Sequence, residues 1–86
     1  MSYAVLLTTR AVRELAALPK DIIARIDARL TDLGTDPRPP GCKKLKLREG
    51  DGWQIRAGDY RVLYRIEDSS HRVLVFRIGH RRDVYE

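Results

Sequence analysis

The pattern of hydrophobic and polar positions divides the chain into a helical first half and a strand-rich second half. Residues 3–8 form a short apolar run, which is typical of a buried strand. Apolar side chains then recur at helical spacing over residues 9–18, and Pro19 ends this helix. A second apolar stripe predicts a helix over residues 20–33, with Gly34 as its stop. The first half is therefore a strand followed by a helical hairpin.

The second half begins after residues 35–41, a stiff loop that contains three prolines and a glycine. From there apolar residues alternate with polar ones, as they do in strands. The predicted strands are residues 43–47, 53–58, 59–68 and 72–80. This order predicts an α+β fold: an N-terminal strand, a helical hairpin, and then a three- to four-stranded, mostly antiparallel sheet.

With only two helices available, one face of the sheet is expected to be covered and the other open. Because side chains alternate between faces, Tyr60, Val62, Tyr64 and Ile66 share one face, and their apolar character indicates the core. Arg61, Leu63 and Arg65 then share the opposite face. Arg56 of the preceding strand is expected beside Arg61, which would make a cationic platform.

Length and charge narrow the class of protein. The chain has 86 residues, which predicts one domain over residues 1–86. The net charge is +5, and it is uneven, because residues 43–86 carry eleven basic and seven acidic side chains. A basic half favours a polyanionic partner, most often a nucleic acid, although a merely soluble basic surface is the alternative.

Several classes of function lack their sequence signals. The chain has one cysteine, Cys42, which excludes an internal disulfide and a cysteine metal cluster. No set of His, Cys or carboxylate residues has metal-ligand spacing, so neither a metal nor a cofactor is predicted. No signal peptide and no membrane-spanning run is visible, and a cytoplasmic location with no membrane partner is expected.

Three stretches together carry a family resemblance. "KKLKL", "WQIRAGDYRVLYRIED" and "VLVFRIGHRRDVYE" resemble the second half of the RelE/ParE superfamily of bacterial and archaeal toxins. The pairing of "GDYRVLY" with a terminal "GHRRDVY" is more specific than either motif alone. The order of strand, helices and sheet is also that of the family, so the resemblance covers essentially the whole chain.

The resemblance implies a function. RelE-like members are endoribonucleases that enter the ribosomal A site and cut mRNA there, whereas ParE-like members poison DNA gyrase. The terminal "HRRDVY" is similar to the RelE branch, where an arginine and a tyrosine near the C-terminus belong to the active site. The expected function is therefore a ribosome-dependent mRNA endonuclease that inhibits translation. The alternatives are a ParE-like gyrase inhibitor and a degenerate member that does not cleave.

The resemblance also implies roles for individual residues. Arg61 matches the arginine that grips the scissile phosphate. Arg81 matches the terminal catalytic arginine, and Tyr85 matches the tyrosine that stacks on the nucleotide. No metal is expected to take part in this chemistry.

Two positions depart from the family pattern. Gln54 and Arg56 stand where the pattern has lysines that are linked to proton abstraction from the ribose 2′-OH. Glutamine cannot take a proton there, and an arginine guanidinium stays protonated, so Arg56 is expected to act electrostatically. Histidine ordinarily exchanges protons near neutral pH, which makes His80 the candidate base.

A wider set of polar residues is expected to contact RNA without sequence specificity. These residues are Lys43, Lys44, Lys46, Arg48, Gln54 and Arg65. For the lysines, the alternative is protection of an edge strand from aggregation. The expected partners are the ribosome, its mRNA and a cognate RelB-like antitoxin encoded adjacent to this protein, with operator DNA as a target of the toxin–antitoxin complex.

Overall fold

The computed structural model describes residues 2–84, which form two helices and five strands. The N-terminal half contains strand β1 (Ala4–Leu7), helix α1 (Thr9–Ala16) and helix α2 (Lys20–Thr35). The C-terminal half contains β2 (Lys43–Leu47), β3 (Gly50–Ala57), β4 (Tyr60–Glu67) and β5 (Arg72–His80), with a short 3-10 turn at Asp68–Ser70. The predicted α+β order is confirmed.

Local chemistry sets where the helices begin. The hydroxyl oxygen of Thr8 accepts a hydrogen bond from the Ala11 N–H at 3.1 Å, and this caps α1. Pro19 lies between the helices, because proline interrupts one helix but is tolerated at the start of the next. Helix α2 turns its apolar stripe to the sheet and buries Ile26, Leu30 and Leu33.

The predicted stop at Gly34 is wrong, because α2 continues to Thr35. This glycine has a packing role instead. Its carbonyl accepts a hydrogen bond from the Tyr3 N–H at 2.7 Å, and a methyl group on Gly34 would lie 3.2 Å from the Tyr3 carbonyl oxygen. The absent side chain therefore lets the start of β1 approach the helix backbone.

The five strands form one sheet in the order β1-β5-β4-β3-β2. The β1–β5 pair is parallel, and the other three pairs are antiparallel. Strand β4 is central, while β1 and β2 form the two edges. The prediction of a mostly antiparallel sheet is confirmed.

A bulge interrupts the pairing of β4 with β5. Leu63 is opposite Arg77, but its neighbour Tyr64 is opposite Val75, so Phe76 is the extra residue. The bulge changes the phase of alternation along β5. Val75 packs into the core. Strict alternation would put Arg77 on the same face, but the bulge places it opposite Leu63, on the other face of the sheet.

The face of the sheet that packs on the helices holds the hydrophobic core. The predicted core residues of β4 lie there, and Trp53 packs against them as well. Those residues are Tyr60, Val62, Tyr64 and Ile66. The Tyr64 hydroxyl donates to the Pro37 carbonyl at 2.8 Å, and burial raises the pKa of Tyr64 well above its ordinary value. This assignment of the core face is confirmed.

The opposite face carries Arg56, Arg61 and Arg65, and we name it the arginine face. It is not uniformly open. Leu63 lies between two of these arginines and is only 1% exposed. The chain after β5 returns over this face, where Val84 packs against Gly79, the β5 partner of Arg61.

Candidate nucleic-acid interface

Two arginines lie directly opposite each other on neighbouring strands. Arg56 of β3 and Arg61 of β4 are Cα partners, so their side chains share the arginine face, as the alternation predicts. Like charges in this position destabilise a sheet. Of the four ion pairs within residues 2–84, none includes either arginine. The pair therefore concentrates positive charge that an anionic ligand can neutralise.

Arg61 is the more constrained of the two. It is half-buried, whereas Arg56 is exposed. Its Nη1 lies 3.5 Å from the Oε1 of Gln54, a long hydrogen bond to a side chain that is only 6% exposed. Its Nε is buried without a partner in the described part of the chain. A buried donor without a partner is costly, and a phosphate oxygen could satisfy it.

Residues 81–84 turn back onto this face immediately after β5. The Arg81 N–H donates to the Asp59 carbonyl at 2.8 Å, and the Asp83 N–H donates to the His80 carbonyl at 2.8 Å. Arg81 is thereby held beside the β3–β4 turn, next to the strand ends that carry Arg56 and Arg61. Its side chain is exposed and free to meet a ligand.

Val84 anchors this return. It is 2% exposed, and a methyl group on Gly79 would lie 2.6 Å from its Cγ2 atom. Gly79 is the β5 partner of Arg61, so Val84 packs on the arginine face directly beside that residue. Tyr85, which the sequence analysis places in the active site, lies outside the described residues.

His80 sits on the other side of the sheet end. It pairs with Tyr60, and the two rings meet edge to face with centroids 5.5 Å apart. Its Nδ1 accepts a hydrogen bond from the Arg82 N–H at 3.2 Å. A neutral imidazole with an accepting Nδ1 carries its proton on Nε2. His80 would therefore act as a base only after this hydrogen bond breaks, while its Nε2 is available as a donor.

The structure divides the residues predicted to contact RNA. Lys43 is opposite Gln54 and shares the arginine face, whereas Lys44 and Lys46 alternate onto the helix-covered side. Lys44 there pairs with Asp51 at 3.3 Å. The arrangement does not bring all three lysines to one surface.

Two further arginines of that predicted set lie near the β2–β3 turn. Arg48 is exposed within the turn itself. Arg65 is on the arginine face, but its Nη1 donates to the Glu49 carbonyl at 2.6 Å, and its guanidinium lies 5.7 Å from the Phe76 ring. Arg65 thus braces the turn and is less available to a ligand than Arg56.

Two residues that the sequence analysis did not predict, Glu14 and Arg77, connect helix α1 to the turn at residues 81–84 that follows β5. Arg77 Nε donates to Glu14 Oε2 at 3.1 Å, and Arg77 Nη2 donates to the Asp83 carbonyl at 3.1 Å. One signal was available: a charged residue inside the apolar run "VLVFRIGH" requires a partner.

Three groups with shifted pKa values, Tyr3, Arg38 and Asp68, lie at the far end of β4 from Arg61. Arg38 and Tyr3 both donate to Asp68, and they lower the pKa of that carboxyl from 3.8 to about 2. The same hydrogen bond raises the pKa of Tyr3. This cluster ties the start of β1 and the loop before β2 to the β4–β5 turn, so its role is structural.

Two further features concern metals and membranes. Within residues 2–84 no three His, Cys, Asp or Glu side chains lie together in a way that could hold a metal ion. Neither helix in that part of the chain has the length and apolar character that a membrane span requires.

Comparison with known proteins agrees with this architecture. A family model described as the ParE toxin of the type II toxin–antitoxin system parDE matches residues 5–85. Toxin RelG of Mycobacterium tuberculosis is 38% identical to this chain over 86 residues, which cover 99% of this chain and 98% of RelG.

Two solved structures share the fold. The toxin–antitoxin complex RelBE2 from M. tuberculosis aligns with a TM-score of 0.82 and 34% identity, over 93% of this chain and 99% of that one. The archaeal RelE–RelB complex from Pyrococcus horikoshii OT3 aligns with a TM-score of 0.83 and 26% identity, over 98% and 100%. Fold, family model and relatives define the class as the toxin of a type II toxin–antitoxin system. Within this class, the chain belongs to the RelE/ParE toxin family.

Proposed function

We propose that this toxin is a ribosome-dependent endoribonuclease that cuts mRNA in the A site and so inhibits translation. The observation that carries the proposal is the pairing of Arg56 with Arg61 on a face where neither has a carboxylate partner among residues 2–84. Arg81 comes to the same end of the sheet through the turn after β5. Three arginines at one end of the sheet suit a phosphodiester backbone.

The chemistry assigns each group a task. Cleavage through the 2′-OH requires removal of the hydroxyl proton, stabilisation of the phosphorane charge and protonation of the leaving 5′-oxygen. In the proposal Arg61 and Arg81 stabilise the phosphorane, and Arg56 adds positive potential. Tyr85 stacks on the nucleotide. His80 is the candidate base: once the Arg82 N–H releases its Nδ1, that nitrogen can take the 2′-OH proton, and the resulting imidazolium can return a proton to the leaving 5′-oxygen.

The dependence on the ribosome follows from what this site lacks. Neither the amide of Gln54 nor the guanidinium of Arg56 is a group that readily accepts a proton, and the Nδ1 of His80 already accepts a hydrogen bond. Among residues 2–84 no other histidine or carboxylate forms an ion pair or hydrogen bond with Arg56, Arg61 or Arg81. Substrate orientation by the ribosome would supply the missing rate, since positioning alone can contribute several powers of ten.

The proposal includes an antitoxin whose charge is opposite to that of this chain. The solved neighbours are complexes of RelE with RelB, and a chain with a net charge of +5 suits an acidic antitoxin that covers the arginine face. Its site of action would be the cytoplasm, where ribosomes translate. Binding of operator DNA by the toxin–antitoxin complex rests on the family resemblance alone.

The test is primer extension on an mRNA in a reconstituted translation reaction. The wild-type chain is expected to produce cuts within A-site codons only when ribosomes are present. Arg61→Ala and Arg81→Ala should each reduce the cleavage rate by about 10²–10³-fold, the usual loss for one group that stabilises transition-state charge. Arg13→Ala removes an exposed arginine from α1 and is the matched control, with cleavage expected at the wild-type rate.

Intact mRNA with the folded wild-type chain would contradict the nuclease. The matched family model carries the ParE name, and this favours gyrase inhibition as the second candidate. A supercoiling assay with purified gyrase decides that case. Inhibition that survives Arg81→Ala would identify a binder with no need of catalytic groups, and activity in neither assay would identify a member that does not cleave.

A further inference from the structure

Arg77 and Glu14 form a partly buried ion pair between a strand and a helix that are far apart in sequence. The Arg77 Nε lies 3.1 Å from Glu14 Oε2, and the two side chains are 15% and 22% exposed. A pair with this much burial and direct hydrogen-bond geometry is more specific than the exposed pair that Glu14 makes with Arg10 at 3.6 Å. The side chain of Arg10 is 65% exposed.

Glu14 is held in place by the backbone of β5. Its Oε1 accepts a hydrogen bond from the Ile78 N–H at 2.9 Å. The pairing of β1 with β5 stops at Leu7 and Val75, so β1 no longer supplies an acceptor at Ile78. The carboxylate replaces the missing strand there. One oxygen of Glu14 therefore fixes the side chain, and the other orients Arg77.

Arg77 connects this fixed point to the tail. Its Nη2 donates to the Asp83 carbonyl at 3.1 Å, in the turn that holds Arg81 and leads to Val84. The planar guanidinium can serve Glu14 and Asp83 at once because its donors point in different directions. The bulge at Phe76 sets this up, because it places Arg77 opposite Leu63 rather than in phase with Val75.

We propose that Arg77, oriented by Glu14, is a positioning residue that seats the turn at residues 81–84 on the arginine face. The seated turn holds Arg81 at the β3–β4 turn, through its N–H to the Asp59 carbonyl, and packs Val84 against Gly79. In this proposal Arg77 acts through the turn, by its contacts with Glu14 and the Asp83 carbonyl. The catalytic consequence rests on the proposed nuclease function, whereas the seating of the turn does not.

The first arm of the test uses the free protein in solution. Backbone and methyl NMR would follow the Asp83 amide exchange rate and the Val84 methyl shifts in the wild type and in variants. In Arg77→Met the Asp83 amide is expected to exchange roughly tenfold faster, the effect of losing one hydrogen bond from a charged group. Arg77→Lys keeps the positive charge but loses the planar guanidinium that donates to two acceptors at once. Its exchange rate and methyl shifts should therefore resemble those of Arg77→Met. Glu14→Gln keeps an acceptor for Ile78 and should give an intermediate result.

The matched control is Arg10→Ala, which removes the other partner of Glu14 and leaves the tail contacts untouched. It is expected to give the wild-type exchange rate and methyl shifts. Thermal unfolding of each variant separates local release of the turn from loss of the fold. An unchanged Asp83 amide and unchanged Val84 methyl shifts in folded Arg77→Met would overturn the proposal.

The second arm measures single-turnover cleavage on programmed ribosomes. Arg77→Met and Arg77→Lys are expected to lower the rate at saturating toxin by about tenfold while the half-saturating concentration stays constant, because positioning acts on the step after binding. A released turn with an unchanged cleavage rate would overturn the catalytic role of the seating. If the wild type cuts no mRNA, the proposed function fails, and the NMR arm still decides whether Arg77 seats the turn.

Discussion

At the scale of single residues, the site depends on the fixed side chain of Arg61 and on the lack of a side chain at Gly79. Arg61 is positioned by Gln54 and by its own partial burial, so its guanidinium has little freedom left to lose when a ligand binds. Gly79, its partner on β5, has no side chain, and this vacancy is filled by Val84. The tail can therefore lie flat beside Arg61.

Replacing Gly79 tests this packing directly. In Gly79→Ala the new methyl group would lie 2.6 Å from Val84 Cγ2, a distance at which one of them must move. We expect Val84 to leave its pocket, a loss of roughly 1–3 kcal/mol of unfolding free energy, and lower cleavage of mRNA. Urea unfolding and primer extension measure the two effects. Gly41→Ala, at a loop glycine with nothing within 4 Å of the added group, separates crowding from loss of glycine flexibility.

For Gly79→Ala, the result that counts against this packing is wild-type stability together with wild-type cleavage. Gly79 has an ordinary negative φ angle, whereas Gly41 has a φ of +88°. The Gly41 variant is therefore expected to lose stability through backbone strain and to keep the tail seated. The Val84 methyl shifts distinguish the two cases.

At the scale of elements, close approach decides how the N-terminal half joins the sheet. Helix α2 and strand β1 meet where Tyr3 donates its N–H to the Gly34 carbonyl. Helix α1 is fixed at its start by the Thr8 cap and along its length by Glu14, which replaces a strand partner for Ile78. The helices are thus attached to the sheet by directed contacts as well as by apolar packing.

Gly34→Ala opposes two effects of similar size. Alanine is favoured over glycine inside a helix by about 0.5–1 kcal/mol. Here, however, the methyl group would lie 3.2 Å from the Tyr3 carbonyl oxygen, on a backbone that its own hydrogen bond holds in place. We expect the crowding to win, with a net loss of about 1 kcal/mol in urea unfolding.

The control for Gly34→Ala is Thr35→Ala at the next position, where the side chain is exposed. Its unfolding free energy should remain within about 0.5 kcal/mol of the wild type. A gain in stability for Gly34→Ala would show that the β1–α2 contact is loose, and the packing role assigned to this glycine would then be wrong.

At the scale of the whole molecule, charged residues are distributed unevenly between the two ends of the sheet. The excess of basic residues lies in the second half of the chain, where Arg56, Arg61 and Arg81 have no ion-pair partner among residues 2–84. The Asp68 cluster occupies the other end of β4 and joins three distant segments. One end of the sheet therefore carries the proposed binding site, and the other end holds the chain together.

The Asp68 cluster predicts a dependence of stability on pH. Asp68 has a pKa of about 2 in the folded protein, lowered from 3.8 first by Arg38 and then by Tyr3. A carboxylate with a depressed folded pKa stabilises the fold above the unfolded value and stops doing so as pH falls through the folded value. We expect the stability advantage of the wild type over Asp68→Asn to be full at pH 6 and to shrink between pH 4 and pH 2.

Urea unfolding at a series of pH values measures this difference. Arg38→Met removes the largest cause of the shift, and in that background the effect of Asp68→Asn should depend much less on pH. Because both side chains are about half exposed, the effect will also weaken at high salt. A wild-type advantage that is equal at pH 6 and pH 2 would rule out this contribution.

Much of the fold was predictable because it depends on short-range patterns. Alternation within β4 separates Tyr64 from Arg61 and assigns each to a face, whatever the neighbouring strands do. The helical stripe that includes Ile26 and Leu30 likewise shows which side of α2 packs on the sheet. The order of elements then leaves few ways to build a sheet covered on one side. The sequence by itself thus determined the α+β class, the core face and the cationic platform.

Only the tertiary structure decided the contacts that bring distant segments together. The bulge at Phe76 overrides strict alternation in β5 and sends Arg77 to the face where the tail returns. Gly34 and Gly79 owe their roles to close approaches of Tyr3 and Val84, which no local pattern encodes. Glu14 showed no role in the sequence because its partners on β5, Arg77 and Ile78, lie more than sixty positions away. Periodicity determines which way a side chain points, but what it meets depends on how the whole chain packs.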